Sequence, residues 1–162
     1  MRRNFRPGAL GALMDELERA AADLERFLDG VTDEQFLAVA DADTEDADCH
    51  SMQTIMRHVV SASYAYANYF RDHFGIPARR PEPELRSREE SILALRESLQ
   101  YTEETLSGHW TMSYDAMAKE LITTRWGAVI TPELLYEHAV CHVLRHRRQC
   151  EKFLFWLAEG RH

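Results

Sequence analysis

Apolar residues recur at steps of three and four over most of this chain. Leu10, Leu13, Met14, Leu17, Ala20, Ala21, Leu24, Phe27 and Leu28 form the first run, opened by Pro7 and Gly8 and stopped by Gly30. That spacing puts them on one face of an amphipathic helix. The intervening Asp15, Glu16, Glu18, Arg19, Asp23, Glu25 and Arg26 read as a solvated face. A second run, Met52, Ile55, Met56, Val59, Ala62, Ser63, Tyr66 and Phe70, predicts a helix from about Ser51 to Phe74, with Ser51 as N-cap. Ile92, Leu95, Leu99 and Leu106 predict a third over about 87–106, where Ser87 and Glu90 fit a capping box. The last runs from a Thr131 cap and Pro132 to about Glu159, before Gly160.

The pattern lapses in three connections. Between helices one and two, Thr32 caps a short turn over "DEQF". The acidic run "DADTEDAD" that follows reads as exposed loop, since it lacks the glycine and closing glutamate of a calcium-binding loop. Gly75, Pro77, Pro81 and Pro83 mark the second connection. In the third, "SYDAMAKEL" suits a short helix and the β-branched "ELITTRWGAVIT" a small hairpin. Four long amphipathic helices without a strand-rich half predict an all-α four-helix bundle, one domain over 1–162. The long first and third connections suit crossovers and the shorter second a hairpin. Loop length thus predicts up-up-down-down topology, with the second and fourth helices antiparallel.

Charge and cysteines narrow the function. A formal net charge of -8 argues against a nucleic-acid surface, which needs a basic stripe. Three cysteines without a CxxC form no disulfide framework and fit a reducing cytoplasm. The opening apolar run is cut by Asp15 and Glu16, too early for a signal-peptide core. No stretch is apolar for long enough to cross a membrane. Cytoplasmic location follows as the expectation, and exposed apolar positions admit a homodimer.

One stretch carries chemistry. "EHAVCHVLRHRRQ" places His138, His142 and His146 at steps of four on the last helix. Residues four apart are offset by about 40° and rise about 6 Å, so two neighbours can aim at one point. Either His138 with His142 or His142 with His146 meets that condition; His138 and His146 are too far apart to share a first shell. Neutral imidazole ligates zinc, nickel, copper and iron. His58, two turns into the second helix, offers a third ligand beside the small Ser61, Ala62 and Ala65. His58, His142 and His146 would leave a coordination position open, the pattern of a catalytic site. "HAVCH" is not HExxH, and the carboxylate spacing of di-iron bundles occurs only as Glu159 to His162. Cys141 reads as a small buried hydrophobe and Cys49 and Cys150 as bystanders. His50, His73 and His109 read as surface, and Trp110, Trp126 and Trp156 as packing. Arg145, Arg147 and Arg148 are solvated, paired, or available to an anionic group.

A histidine two turns into the second helix, then H-x-x-x-H followed by R-x-Q in the last, resembles the DinB/YfiT-like superfamily of four-helix bundles. That family often reads His-Arg-Gly-Gln where this chain has His146, Arg147, Arg148 and Gln149. The resemblance covers nearly the whole chain as a helix pattern, though its sharp part is short. It implies a divalent metal (zinc, nickel or iron) on His58, His142 and His146. Gln149 would orient a ligand from the second shell, and His138 and Arg145 would lie near the pocket. Arg148 in place of glycine would alter a wall of the site. Some members look like thiol S-transferases or isomerases that use bacillithiol, mycothiol or glutathione. The resemblance therefore implies a thiol S-transferase acting on small electrophiles. The alternatives are a non-catalytic bundle that binds metal or a small molecule, and a metal-dependent hydrolase.

Overall fold

A computed structural model describes residues 5–82 and 84–160. Pro83 of the second linker and His162 of the Glu159–His162 spacing lie outside them. The elements are α1 (Gly8–Asp29), α2 (Asp33–Leu37), a 3-10 turn (Ala47–Cys49), α3 (Met52–Phe74), α4 (Arg88–Leu106), α5 (Tyr114–Met117), β1 (Ile122–Thr123), β2 (Val129–Ile130) and α6 (Pro132–Ala158). The protein is mostly helical, and among the described residues no helix is long and apolar enough to cross a membrane.

Local chemistry sets these boundaries. The Ser51 side chain accepts the Thr54 N–H, and the Thr54 hydroxyl oxygen accepts the Ser51 backbone N–H in return, closing a capping box on α3. Gly75 ends that helix at φ +68°, a left-handed conformation that glycine adopts without strain. Thr131 accepts the Leu134 N–H and Pro132 fills the first turn of α6. At α4 only half of the expected box forms: Ser87 accepts the Glu90 N–H, but the Glu90 carboxylate takes the Arg86 N–H instead. Gly8 is required for another reason. A Cβ there would stand 1.9 Å from the Trp110 carbonyl oxygen.

The four long helices pack α1 on α6, α6 on α3, α3 on α4 and α4 on α1. Their buried faces supply one core, including Leu10, Met14 and Leu24 of α1, Ile55, Val59 and Phe70 of α3, Leu95 and Leu106 of α4, and Tyr136, Val143 and Phe153 of α6. The inner line of α4 differs from the expected one. Ser91, Ser98, Thr102 and Thr105 are buried, whereas Ile92 and Leu99 are only half-buried. Each of these hydroxyls bonds a carbonyl three or four residues back on its own helix, so a polar stripe enters the core satisfied. The α1 face read as solvated is also engaged: Arg6 joins Asp15, Glu18 and Glu103 at 2.6–2.7 Å, tying α1 to α4.

Contacts along the helices correct the up-up-down-down expectation. Asn68 meets Tyr101 at 2.7 Å and Arg71 meets Thr105 at 2.5 Å, while Gln53 reaches the Leu85 carbonyl just before α4. Both series ascend, so α3 and α4 run parallel. Arg96 pairs with Glu25 and Arg88 with the Val31 carbonyl, so α1 and α4 run antiparallel. His58 meets His146, Tyr66 meets His138 and Phe70 meets Tyr136, so α3 and α6 run antiparallel. The order is up, down, down, up, and the crossover is the second connection. Its 13 residues span roughly 43 Å when extended, more than the roughly 34 Å length of α3. The longer connections spend their residues on structure of their own: α2 and a Val39–Ser51 bridge in the first, α5 and the β1–β2 hairpin in the third.

Tyr101 anchors the crossover. Its hydroxyl donates to Asn68 Oδ1 and accepts the Arg79 N–H at 2.8 Å, beneath the Arg71 guanidinium. Tyr101→Phe removes both bonds and leaves two partners wanting. The expected cost is about 1–3 kcal/mol in urea unfolding. An unchanged midpoint would mean that the linker does not depend on this hydroxyl.

Candidate metal centre

The second turn of α3 carries His58 to the α3–α6 seam, where the inward line of α6 presents His142 and His146. One nitrogen from each ring lies within 4.8 Å of the other two. His58 Nε2 stands 2.9 Å from His142 Nε2, and the three ring centroids are 4.4–4.9 Å apart. His142 and His146 are buried, whereas His58 keeps a third of its side chain exposed.

The outer nitrogens have partners that fix the rings. Nδ1 of His146 donates to Gln149 Oε1 at 3.0 Å, which leaves its Nε2 a bare lone pair. That Nε2 is buried and has no hydrogen-bond partner among the described residues. Nδ1 of His58 lies 3.3 Å from Asp48 Oδ2, so its Nε2 also offers a lone pair to the cluster. Carboxylate or amide on the outer nitrogen and a free inner nitrogen is how ligating histidines are held. A buried lone pair with nothing to bind is costly, and a cation in the gap would satisfy it. On this observation the residues fit a divalent metal.

Burial keeps His142 and His146 neutral. Burial pushes the His142 pKa down to about 2 and that of His146 to about 4, with the neighbouring imidazoles acting in the same direction. A metal therefore does not have to displace protons at neutral pH. A sign follows for the metal-free protein. The unfolded chain protonates these imidazoles below about pH 6.5 while the folded chain does not, so unfolding takes up protons. Stability is full above that value and falls as pH drops from 6.5 toward 4. Thermal melts of metal-free protein at pH 7.5 and 5 would show this, and His146→Leu should weaken the dependence. An equal dependence in the variant would contradict the assignment.

The other candidates fall at different places. His138 lies outside the cluster, half-buried, stacked on Trp126 at 5.4 Å and edge-on to Tyr66. Tyr66 in turn meets the edge of His142, so a row of rings leads from the centre to the half-exposed Trp126 on the hairpin turn. Arg145 is exposed and makes no ion pair or hydrogen bond among the described residues, but its charge lowers the pKa of His138, His142 and His146. Arg148 does not wall the site; it is exposed on the outer face of α6. Cys141, expected in the core, is exposed, while Cys150 is buried with its thiol pKa pushed up to about 12. His109, expected at the surface, packs half-buried against Phe70 and Phe74.

Two contributors come from the loop dismissed as solvated. Asp48 partners His58, and the Cys49 thiol donates to Gln149 Oε1 at 3.8 Å, behind His146. The Val39–Ser51 bridge and the bonds from Ala40 and Asp41 N–H to the His50 carbonyl fold this loop onto the start of α3. Access is from the same side. A cavity of about 350 Å³ touches His58, Asp48, Arg57 and Ser61. It shares Ser61 and Glu82 with a cavity of about 520 Å³ running along α3 past Ala65 to Tyr69 and Arg125. In comparisons with known proteins, no family model, curated protein or solved structure matches this chain.

Proposed function

We propose that the protein is a divalent-metal-dependent enzyme of the DinB/YfiT-like type that transfers a low-molecular-weight thiol to small electrophiles. The observation that carries the metal is the unpartnered, buried Nε2 of His146 facing His58 and His142. The thiol transfer rests on the family resemblance. Zinc, nickel and iron all accept three imidazoles. A divalent ion held there supplies Lewis acidity that lowers the pKa of a thiol at its open position.

The chain's own residues do the rest. Asp48 and Gln149 hold two of the imidazoles by their outer nitrogens. Burial keeps His142 and His146 neutral and ready to ligate. The exposed charge of Arg145, felt at all three of its histidine neighbours, favours an anion such as a thiolate nearby. The small Ser61 and Ala65 leave the α3 groove open to a substrate of several carbons.

The test is turnover of an aryl chloride with bacillithiol, mycothiol or glutathione, in which a carbon–sulfur bond forms and chloride leaves. Product is expected only with metal and one of these thiols, and none with His142→Ala. Metal-loaded protein that is silent with all three thiols would overturn the transfer reading. Metal-dependent cleavage of an ester instead would favour a hydrolase.

A further inference from the structure

Tyr66 keeps only 6% of its surface exposed, yet its hydroxyl makes no hydrogen bond among the described residues. Three rings meet its own nearly at right angles: His142 and His138 at 5.5 Å and Trp126 at 6.2 Å. A phenylalanine would fill that space equally well, so packing leaves the hydroxyl unexplained. Unlike the unpaired hydroxyl of Tyr136, it is not sealed off from solvent. The exposed Arg145 guanidinium, itself without an ion pair, acts on Tyr66 as it does on His138, His142 and His146. Hydroxyl and free cation thus stand together beside the three-histidine centre. Helical side chains lean toward the N-terminus of their helix, so Tyr66, two turns beyond His58 on α3, leans back toward that centre. Ala65 and Tyr69, near it on α3, line the larger cavity.

We propose that the Tyr66 hydroxyl is a catalytic residue of this centre: it donates a hydrogen bond to the sulfur of the bound thiolate, while Arg145 supplies the field that favours the negative charge. The inference rests on the metal and thiol reading above and adds the group that touches the nucleophile. A phenol keeps its proton at neutral pH, so it donates to an anion rather than repelling it. A hydrogen bond to an ionised acceptor is stronger than one to a neutral acceptor, so Tyr66 favours thiolate over thiol. The surrounding rings of His142, His138 and Trp126 fix the plane of the phenol, and with it the direction of the bond. Arg145 acts from the exposed side as a charge without a fixed partner, so its share is sensitive to salt.

The test is ligand binding to the full chain loaded with cobalt, an ion that three imidazoles also accept and whose visible absorption reports its ligands. Two probes are titrated at one fixed pH: 2-mercaptoethanol, which binds as thiolate and adds a sulfur-to-cobalt absorption in the near ultraviolet, and neutral imidazole. Tyr66→Phe is expected to bind cobalt as the parent protein does, to weaken 2-mercaptoethanol about ten- to hundredfold, and to leave imidazole unchanged. Arg145→Gln should weaken 2-mercaptoethanol several-fold and flatten its salt dependence. Equal 2-mercaptoethanol affinity in Tyr66→Phe and the parent protein would overturn the inference while leaving the metal and thiol reading intact. An equal loss for both probes would overturn it too, since Tyr66 would then only shape the pocket. A parent protein that takes up no cobalt, or shows no sulfur absorption, would overturn the metal and thiol reading and this inference with it.

Discussion

Zinc added to metal-free protein is expected to raise its unfolding temperature by about 8–16 °C when free metal stands about a thousandfold above the dissociation constant. A ligand that binds only the folded state adds RT ln(1 + [L]/Kd), about 4 kcal/mol at that ratio. A chain of this size gains about 2–4 °C for each kcal/mol. The folded state alone presents the three nitrogens together, because His58 comes from α3 and the other two from α6, His142 standing 84 residues further along. A metal held there would bridge two helices that otherwise meet through side-chain packing. His142→Ala should abolish the shift, measured within the variant with and without metal. His138→Ala should retain it, since that ring stacks on Trp126 outside the cluster. A shift that survives His142→Ala would place the metal elsewhere.

Replacing the groups behind the imidazoles should weaken binding without abolishing it. Asp48→Ala and Gln149→Leu are each expected to lower metal affinity about 10- to 100-fold, the range for partners that orient a ligating histidine. Asp48 holds the outer nitrogen of the more exposed ring and so turns its inner nitrogen to the cluster. Gln149 holds His146 and receives the Cys49 thiol, so Gln149→Leu also removes that link and leaves the thiol to Asp46. The two residues act on different rings, and their effects should add as free energies. Competition against a chromophoric chelator measures this. Unchanged affinity in Asp48→Ala would mean that the acidic loop is not part of the centre.

The helices were legible in the sequence because they depend on short periods, whereas the step of four left two histidine pairs open and the family resemblance chose His142 and His146, with His58. Ser51, Thr131 and Pro132 mark helix starts by local chemistry, and a step of four aims His142 and His146 together on any helix. Cys150 continues that row by one more step and is buried. Cys141, nine residues before it, must lie on the opposite face, and the reading of Cys141 as buried overlooked that phase. Other features had no local signal. Connection length does not fix direction, since 13 extended residues can cross the molecule while 22 can fold into a turn, a bridge and a cover for the site. Asp48 lies in an aperiodic acidic run, and the Val39–Ser51 bridge and the bonds to the His50 carbonyl bring it to His58. The buried stripe of α4 was hidden because serine and threonine read as polar, although their hydroxyls are satisfied within the helix.

The central claim is that His58, His142 and His146 hold a metal. Its most direct test is the metal content of tag-free protein never exposed to a nickel column, beside His58→Ala and His142→Ala. The expected result is about one divalent ion per chain in the parent protein and none in either variant. No metal in the parent protein and no uptake when zinc, nickel or iron is added back would contradict the claim and return the three imidazoles to core packing.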